Sequence, residues 1–186
     1  MGTGYSKRNR RNCRNEQSIK GGRYIDFPVP SHLKEFLVPE EEPGSEYEVT
    51  GNICCTCGSM YFEVLENNNK QVVKLICRQC KKEILLFDIA KHGWNGFVCD
   101  GIIEEKYLDR KLPLQKYHCP VCKEFYFKII VTITSQGKQD FIEECLSYEE
   151  GFSASDWVDA FESISIIPIC AKCGFTEESW AVFETM

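Results

Sequence analysis

Eight of the twelve cysteines in this chain stand as four pairs with a two-residue gap: Cys54 and Cys57, Cys77 and Cys80, Cys119 and Cys122, Cys170 and Cys173. No other feature restricts the fold so strongly. A two-residue gap lets two thiolates from one tight turn reach the same ion, whereas a disulfide framework has no need of it. The opening MGTGYSKRNRRNCRNEQ has no apolar stretch behind its basic residues, so it does not read as a secretory signal. No run approaches the roughly 18 apolar residues of a membrane span. The expectation is a reducing, cytoplasmic setting in which these eight cysteines are metal ligands.

The pairs belong to an internal repeat. Cys54, Cys57, Met60, Tyr61, Phe62, Val64 and Leu65 align with Cys119, Cys122, Phe125, Tyr126, Phe127, Ile129 and Ile130 at a constant offset of 65. LICRQC, with Cys77 and Cys80, aligns with PICAKC, with Cys170 and Cys173, at an offset of 93, so the second copy carries 28 extra residues between its knuckles. In the first copy SMYFEVLENNNKQVVKLI predicts strand, polar turn and strand, a hairpin that returns the second knuckle to the first. KKEILLFDI predicts a third strand. In the second copy FYFKIIVTIT predicts a strand, and DFIEECLSYEEGF fits either helix or loop. SASDWVDAFESI predicts a helix with Ser153 as N-cap and Trp157, Ala160, Phe161 and Ile164 on one face. SISIIPIC and FTEESWAVFET predict closing strands. Sequential pairing gives one ion Cys54, Cys57, Cys77 and Cys80 and the other Cys119, Cys122, Cys170 and Cys173. It needs only local loop closure and is preferred to a cross-braced pairing.

These knuckles resemble the zinc-ribbon superfamily with its rubredoxin-like modules; CCTCG and CAKCG carry the glycine that often follows such a turn. The resemblance covers about residues 51–90 and 115–184 and implies a mainly β fold of two tandem four-cysteine zinc ribbons, with a small helical insertion in the second. It implies two structural zinc ions, with iron the less favoured occupant of a thiolate-only site. It does not imply a function, because ribbons serve many. The expected organisation is a basic arm at 1–23, an extended strap and acidic linker at 24–50, a first ribbon with its connector at 51–112, and a second ribbon at 113–186. The strap would pack through Phe27, Leu33, Phe36 and Leu37, with a helical turn at 31–37.

Cys13, Cys55, Cys99 and Cys145 have no partner at that spacing; Cys55, inside the knuckle, reads as a tolerated small residue, with a spare ligand or a redox thiol as alternatives, and Cys99 and Cys145 read as buried small hydrophobes. Asp88, His92, Trp94 and Cys99 crowd FDIAKHGWNGFVCDG, a stretch read as turns or a partner contact; a Cys-His pair oriented by Asp88 is its catalytic alternative. His32 and His118 read as incidental, although His118 adjoins a knuckle and could donate to a thiolate. The opening MGTGYS matches an N-myristoylation pattern at Gly2, which is not favoured.

Charge separates the function classes. The net charge is −6. Residues 1–38 carry eight basic against three acidic side chains, while residues 113–186 carry five against twelve. An acidic body does not suit a general nucleic-acid binder. The leading expectation is a non-enzymatic interaction module, an adaptor or an inhibitor working as immunity proteins do. It would dock a basic protein partner through Glu143, Glu144, Glu149, Glu150 and Trp157. The alternative is a nucleic-acid-associated factor using Arg8, Arg10, Arg11 and Arg14. A thiol or redox enzyme based on Cys55 or Cys99 is the third reading.

Overall fold

The computed structural model describes residues 28–40, 47–98, 108–145 and 153–185. The described residues are mostly β and form a curled antiparallel sheet of nine strands. In chain order the strands are β1 (Leu37–Pro39), β2 (Glu48–Ile53), β3 (Phe62–Glu66), β4 (Val72–Cys77), β5 (Glu83–Asp88), β6 (Gln115–Lys116), β7 (Tyr126–Thr134), β8 (Ser163–Cys170) and β9 (Ala181–Glu184). Two short helices, α1 (Gly93–Val98) and α2 (Lys138–Cys145), lie among the described residues.

Each copy of the repeat makes a three-stranded meander. β3, β4 and β5 pair in sequence, as do β7, β8 and β9. The turn between β3 and β4 is held by Asn67. Its Oδ1 accepts the Val72 amide at 2.9 Å, and its Nδ2 donates to the Asp109 carbonyl at 2.9 Å. Asn68 and Lys70 take positive φ there, the conformation a short polar turn demands.

The two meanders share one sheet. β3 pairs antiparallel with β7, with Phe62 opposite Phe127. These phenylalanines are equivalent positions in the repeat, so the copies are related by an approximate two-fold axis through that pair. One row then crosses four strands: Cys77 opposite Phe62, Phe62 opposite Phe127, Phe127 opposite Cys170. The segments leading into the knuckles are exchanged. β2, ahead of the first copy, pairs with β7 of the second, and β6, ahead of the second, pairs with β3 of the first. A single buried cluster runs from Leu33 of the strap through Phe62 and Phe127 to Trp180 and Ala181.

α1 closes the curl. Its first amides reach the end of β9 and the segment before β8: Trp94 N–H donates to the Phe161 carbonyl at 3.2 Å and Asn95 N–H to the Thr185 carbonyl at 2.9 Å. The Phe87 and Phe183 rings stack at 5.2 Å between β5 and β9.

The insertion departs from expectation. Residues 153–164 do not form one helix. Asp156–Val158 is a 3-10 turn, and β8 begins at Ser163. Half of a capping box survives, since the Ser153 amide donates to the Asp156 carboxylate at 2.7 Å. An eight-residue ladder from Ser163 to Cys170 on β7 outweighs a short, marginal helix. The apolar residues are buried all the same but split: Phe161 and Ile164 join the main core, while Trp157 and Ala160 pack with Phe141 and Cys145 in a second cluster. α2 is the helix of the insertion. The strap makes a 3-10 turn at Ser31–Leu33 and a strand at Leu37–Pro39, in place of a turn over 31–37. Leu33, Phe36 and Leu37 are buried, and Phe27 lies outside the described residues.

Because Phe62 and Phe127 are shared by both copies, the metal-loaded protein is expected to unfold in one transition. Phe127→Ala should cost about 3–5 kcal/mol and shift that transition as a whole. Urea unfolding followed by fluorescence and circular dichroism checks this; two separate midpoints would contradict it.

Candidate metal centres

Two groups of four cysteines converge: Cys55, Cys57, Cys77 and Cys80, and Cys119, Cys122, Cys170 and Cys173. Within each, the sulfurs lie within 4.8 Å of one another. The closest contacts are Cys55 to Cys80 at 3.5 Å, Cys57 to Cys77 at 3.5 Å, Cys119 to Cys173 at 3.6 Å and Cys122 to Cys170 at 3.5 Å. A tetrahedral ion with metal–sulfur bonds of about 2.3 Å needs sulfur edges of about 3.8 Å. The sites fit a four-thiolate metal, and the pairing is sequential.

The hairpins bring the knuckles together, and amides shape each knuckle. Cys77, Cys119 and Cys170 each donate their amide to a carbonyl five residues on, at Lys82, Glu124 and Phe175. Each accepts in return from the residue four ahead, at Lys81, Lys123 and Gly174. That residue has positive φ in all three. Glycine carries this conformation without steric cost, and the two lysines bear a small strain to complete the turn.

The first knuckle is one residue tighter, and this changes a ligand. Cys55 donates its amide to Ser59 at 2.8 Å and accepts from Gly58 at 2.7 Å, with Gly58 at φ 86°. Cys54, expected as the ligand, is not in the cluster. Its amide donates to the Phe36 carbonyl at 2.7 Å, prolonging the contact between strap and β2, and its thiol turns to the Cys55 carbonyl at 3.7 Å. The lead-in strands agree. Asn52 opposes Ile130 three residues before Cys55, as Lys116 opposes the equivalent Leu65 three residues before Cys119. In the sequence, Cys-Cys-x-Cys permits either choice; only the lead-in register separates them.

In every knuckle the first cysteine is buried and the second lies nearer the surface. Burial opposes ionisation of Cys77, but the amides of Cys80 and Gln79 and the Cys57 and Cys80 thiols outweigh it and bring it down to about 6. Burial likewise opposes the equivalent Cys170, and the Cys173 and Lys172 amides with the Cys122 and Cys173 thiols bring it to about 7. Burial, with the neighbouring thiols, pushes Cys55 up to about 12. For Cys173 the Phe175 amide favours the thiolate, but burial and three adjacent thiols push it up to about 12. Cys77 and Cys170 are therefore the readier thiolates, and loading a metal must expel protons from Cys55 and Cys173.

The other candidate residues are dispersed. Asp88 is buried, and its carboxylate receives Arg110 at 3.1 Å and Lys91 at 3.9 Å. It does not orient His92, whose Nδ1 accepts the Asp88 amide at 3.1 Å. Cys145 is buried in the second cluster. His118 faces the Lys123 carbonyl at 3.4 Å rather than a thiolate. Glu143 and Glu144 stand exposed on α2, each accepting from a glutamine, Gln139 and Gln136. Trp157 is buried beneath Lys138, whose ammonium lies 5.9 Å from the ring, so it is no surface anchor. Arg8, Arg10, Arg11, Arg14, Cys13, Cys99, Glu149 and Glu150 lie outside the described residues, as does Gly2. No described helix is long and apolar enough to cross a membrane.

Comparison with protein families, with curated proteins and with solved structures finds no match to the chain.

Cys55→Ser should leave one of the two sites unable to retain metal, while Cys54→Ser should keep both loaded. Native mass spectrometry of the desalted proteins reads the difference directly. The reverse result would return Cys54 to the site.

Proposed function

We propose that the protein is a non-enzymatic, cytoplasmic interaction module, held in shape by two structural zinc ions, that docks a basic protein partner through an acidic end. Thiolates fill all four positions of each site, which leaves no open position for water or substrate and suits structural rather than catalytic zinc. With Cys55 a ligand, a redox reading loses one of its two thiols.

The observation that carries the docking reading is where the acids sit. Asp140, Glu143 and Glu144 of α2 and Asp156, Asp159 and Glu162 around the 3-10 turn Asp156–Val158 gather where these two elements pack together through Phe141, Trp157 and Ala160. β7 and β8 carry this end away from the knuckles, since α2 follows the far end of β7. Such a field speeds encounter with a basic surface and selects against acidic ones.

A second reading draws on the opposite end. Between the two sites, Arg78 lies 4.6 Å from the Tyr126 ring, Lys116 4.8 Å from Phe125 and Lys128 5.8 Å from Tyr61. Cations interleaved with aromatics suit single-stranded nucleic acid. The reading ranks second because a divalent ion with four thiolates is itself anionic, and these cations offset it.

A polylysine probe separates the readings. At equal metal content, Glu143→Lys with Glu144→Lys should weaken polylysine binding about tenfold, allowing up to about 1 kcal/mol for each exposed charge. Glu177→Lys with Glu178→Lys makes the same change in net charge elsewhere and should have a much smaller effect. Equal losses from both pairs would reduce the acidic end to a general charge effect. Salt-sensitive oligonucleotide binding, lost with Arg78→Ala, would favour the second reading.

A further inference from the structure

The strap is fastened to the sheet by two histidines stacked on each other. His32, in the turn Ser31–Leu33, lies with its ring 3.8 Å from that of His92, the planes 18° apart. Hydrogen bonds fix both tautomers. His32 Nε2 lies 3.2 Å from the Leu86 carbonyl, which can only accept, so this nitrogen carries the proton. His92 Nδ1 accepts the Asp88 amide at 3.1 Å, so a neutral His92 carries its proton on Nε2. A cavity of about 240 Å³, lined by Ser31, His32, Lys91, His92, Asp159 and Phe161 among others, adjoins the pair.

We propose that this stacked pair is an acid-released clasp that holds the strap on the sheet and, through the strap, steadies the first four-cysteine site. Protonating His92 sets an N–H against the Asp88 N–H already pointing at it and places a cation on the face of the neighbouring ring. The charged groups around the pair do little to offset this. Lys91, in the turn before α1, repels a proton. Asp88, at the end of β5, is engaged by Arg110 and Lys91. Asp159, beside the 3-10 turn Asp156–Val158, favours a charged His32 but engages both oxygens with the Ser31 amide and hydroxyl, each at 2.7 Å. Phe87 presents an aromatic ring to His92 at 6.1 Å.

The consequence reaches the metal end. The strap buries Leu33, Phe36 and Leu37, and the Phe36 carbonyl receives the Cys54 amide next to Cys55. Release at His32 therefore loosens the support of the first knuckle. The corresponding knuckle of the second site, Cys119 with Cys122, is preceded by β6 and not by the strap.

The direction with pH follows from the neutral forms. Burial, His32 and Lys91 lower His92 to about 3, and burial lowers His32 against the Leu86 bond and Asp159. A depressed histidine stabilises the closed strap fully above its ordinary value of 6.5, and that contribution is lost as pH falls toward about 3. For His92 alone, full return to the ordinary value on release sets an upper limit of about a 30-fold fall in the closing equilibrium between about pH 7.5 and pH 5.

Amide hydrogen exchange on the metal-loaded chain tests this. After correction for intrinsic rates, protection at Leu33, Phe36 and Cys54 should fall by up to about 30-fold over that interval, while Val131 and Ile167 in β7 and β8 hold. His32→Gln with His92→Asn keeps the Nε2 donor and the Nδ1-side acceptor but cannot titrate. In this variant strap protection should stay flat with pH. A flat wild type, loss shared equally by β7 and β8, or a variant that behaves as wild type would overturn the clasp. Nitrogen-resolved NMR of the imidazoles adds a check free of any variant: a charged His92 with the strap still protected would also overturn it.

Discussion

Four thiolates meet at a point only if the strands beneath them hold register. In this protein that register is set by cross-strand partners at the first position of each hairpin, Phe62 with Cys77 and Phe127 with Cys170. A slip of one residue would turn both phenylalanines outward and carry the second knuckle away from the first. Direct pairing of Phe62 with Phe127 makes the two registers a single constraint. Metal and core support each other across this row. A structural zinc contributes on the order of 10–16 kcal/mol of apparent binding energy in small zinc domains, and the two rings, both fully buried, keep the ligand geometry ready for it.

Much of this is legible in the sequence, for identifiable reasons. Knuckle spacing, repeat offset and period-two alternation are local signals, and they yield both hairpins and the sequential pairing. The choice between Cys54 and Cys55 is not local. It depends on where β2 ends and on the Phe36 carbonyl, which lies in another segment. Trp157, Ala160, Phe161 and Ile164 satisfy helical spacing, but the competing claim comes from β7, which pairs with every residue from Ser163 to Cys170. Periodicity identifies these residues as buried without showing that they fill two different clusters. Trp157 looks like a surface anchor in sequence because the helix that covers it, α2, lies in a stretch whose composition fits helix and loop equally well. The exchange of β2 and β6 is invisible for a related reason. Each strand's partner lies in the other copy, and no local pattern points to it.

Charge follows the same division between what the copies share and what they do not. The repeated parts carry the knuckles and gather Arg78, Lys81, Lys123 and Lys172 near the thiolates. Such cations lower the cost of concentrating negative sulfur around a divalent ion. Glu63 is drawn into this network as well, bridging Lys116 at 2.6 Å and Lys81 at 3.3 Å, which holds its carboxyl below the usual range. Asp140, Glu143, Glu144, Asp156, Asp159 and Glu162 lie instead on the insertion, where no metal has to be balanced.

Two copies folded about one axis would, if unadorned, present the same surface twice. This chain breaks that equivalence at two places. The second copy inserts α2 and the 3-10 turn between β7 and β8, where the first has only the Asn67–Gln71 turn. The first copy gains the strap, which crosses to the insertion through Ser31 and Asp159. The two additions therefore touch each other. The acidic end and the histidine pair lie on either side of that contact, since Asp159 belongs to the acids and also favours a charged His32. A basic partner that drew Asp159 away from Ser31 would weaken the strap's hold and remove a nearby carboxylate that offsets charge on that ring. Binding of such a partner and the state of the strap would thus be linked through a single side chain, in both directions. Any such response would then belong to the parts that differ between the copies and not to the repeated core.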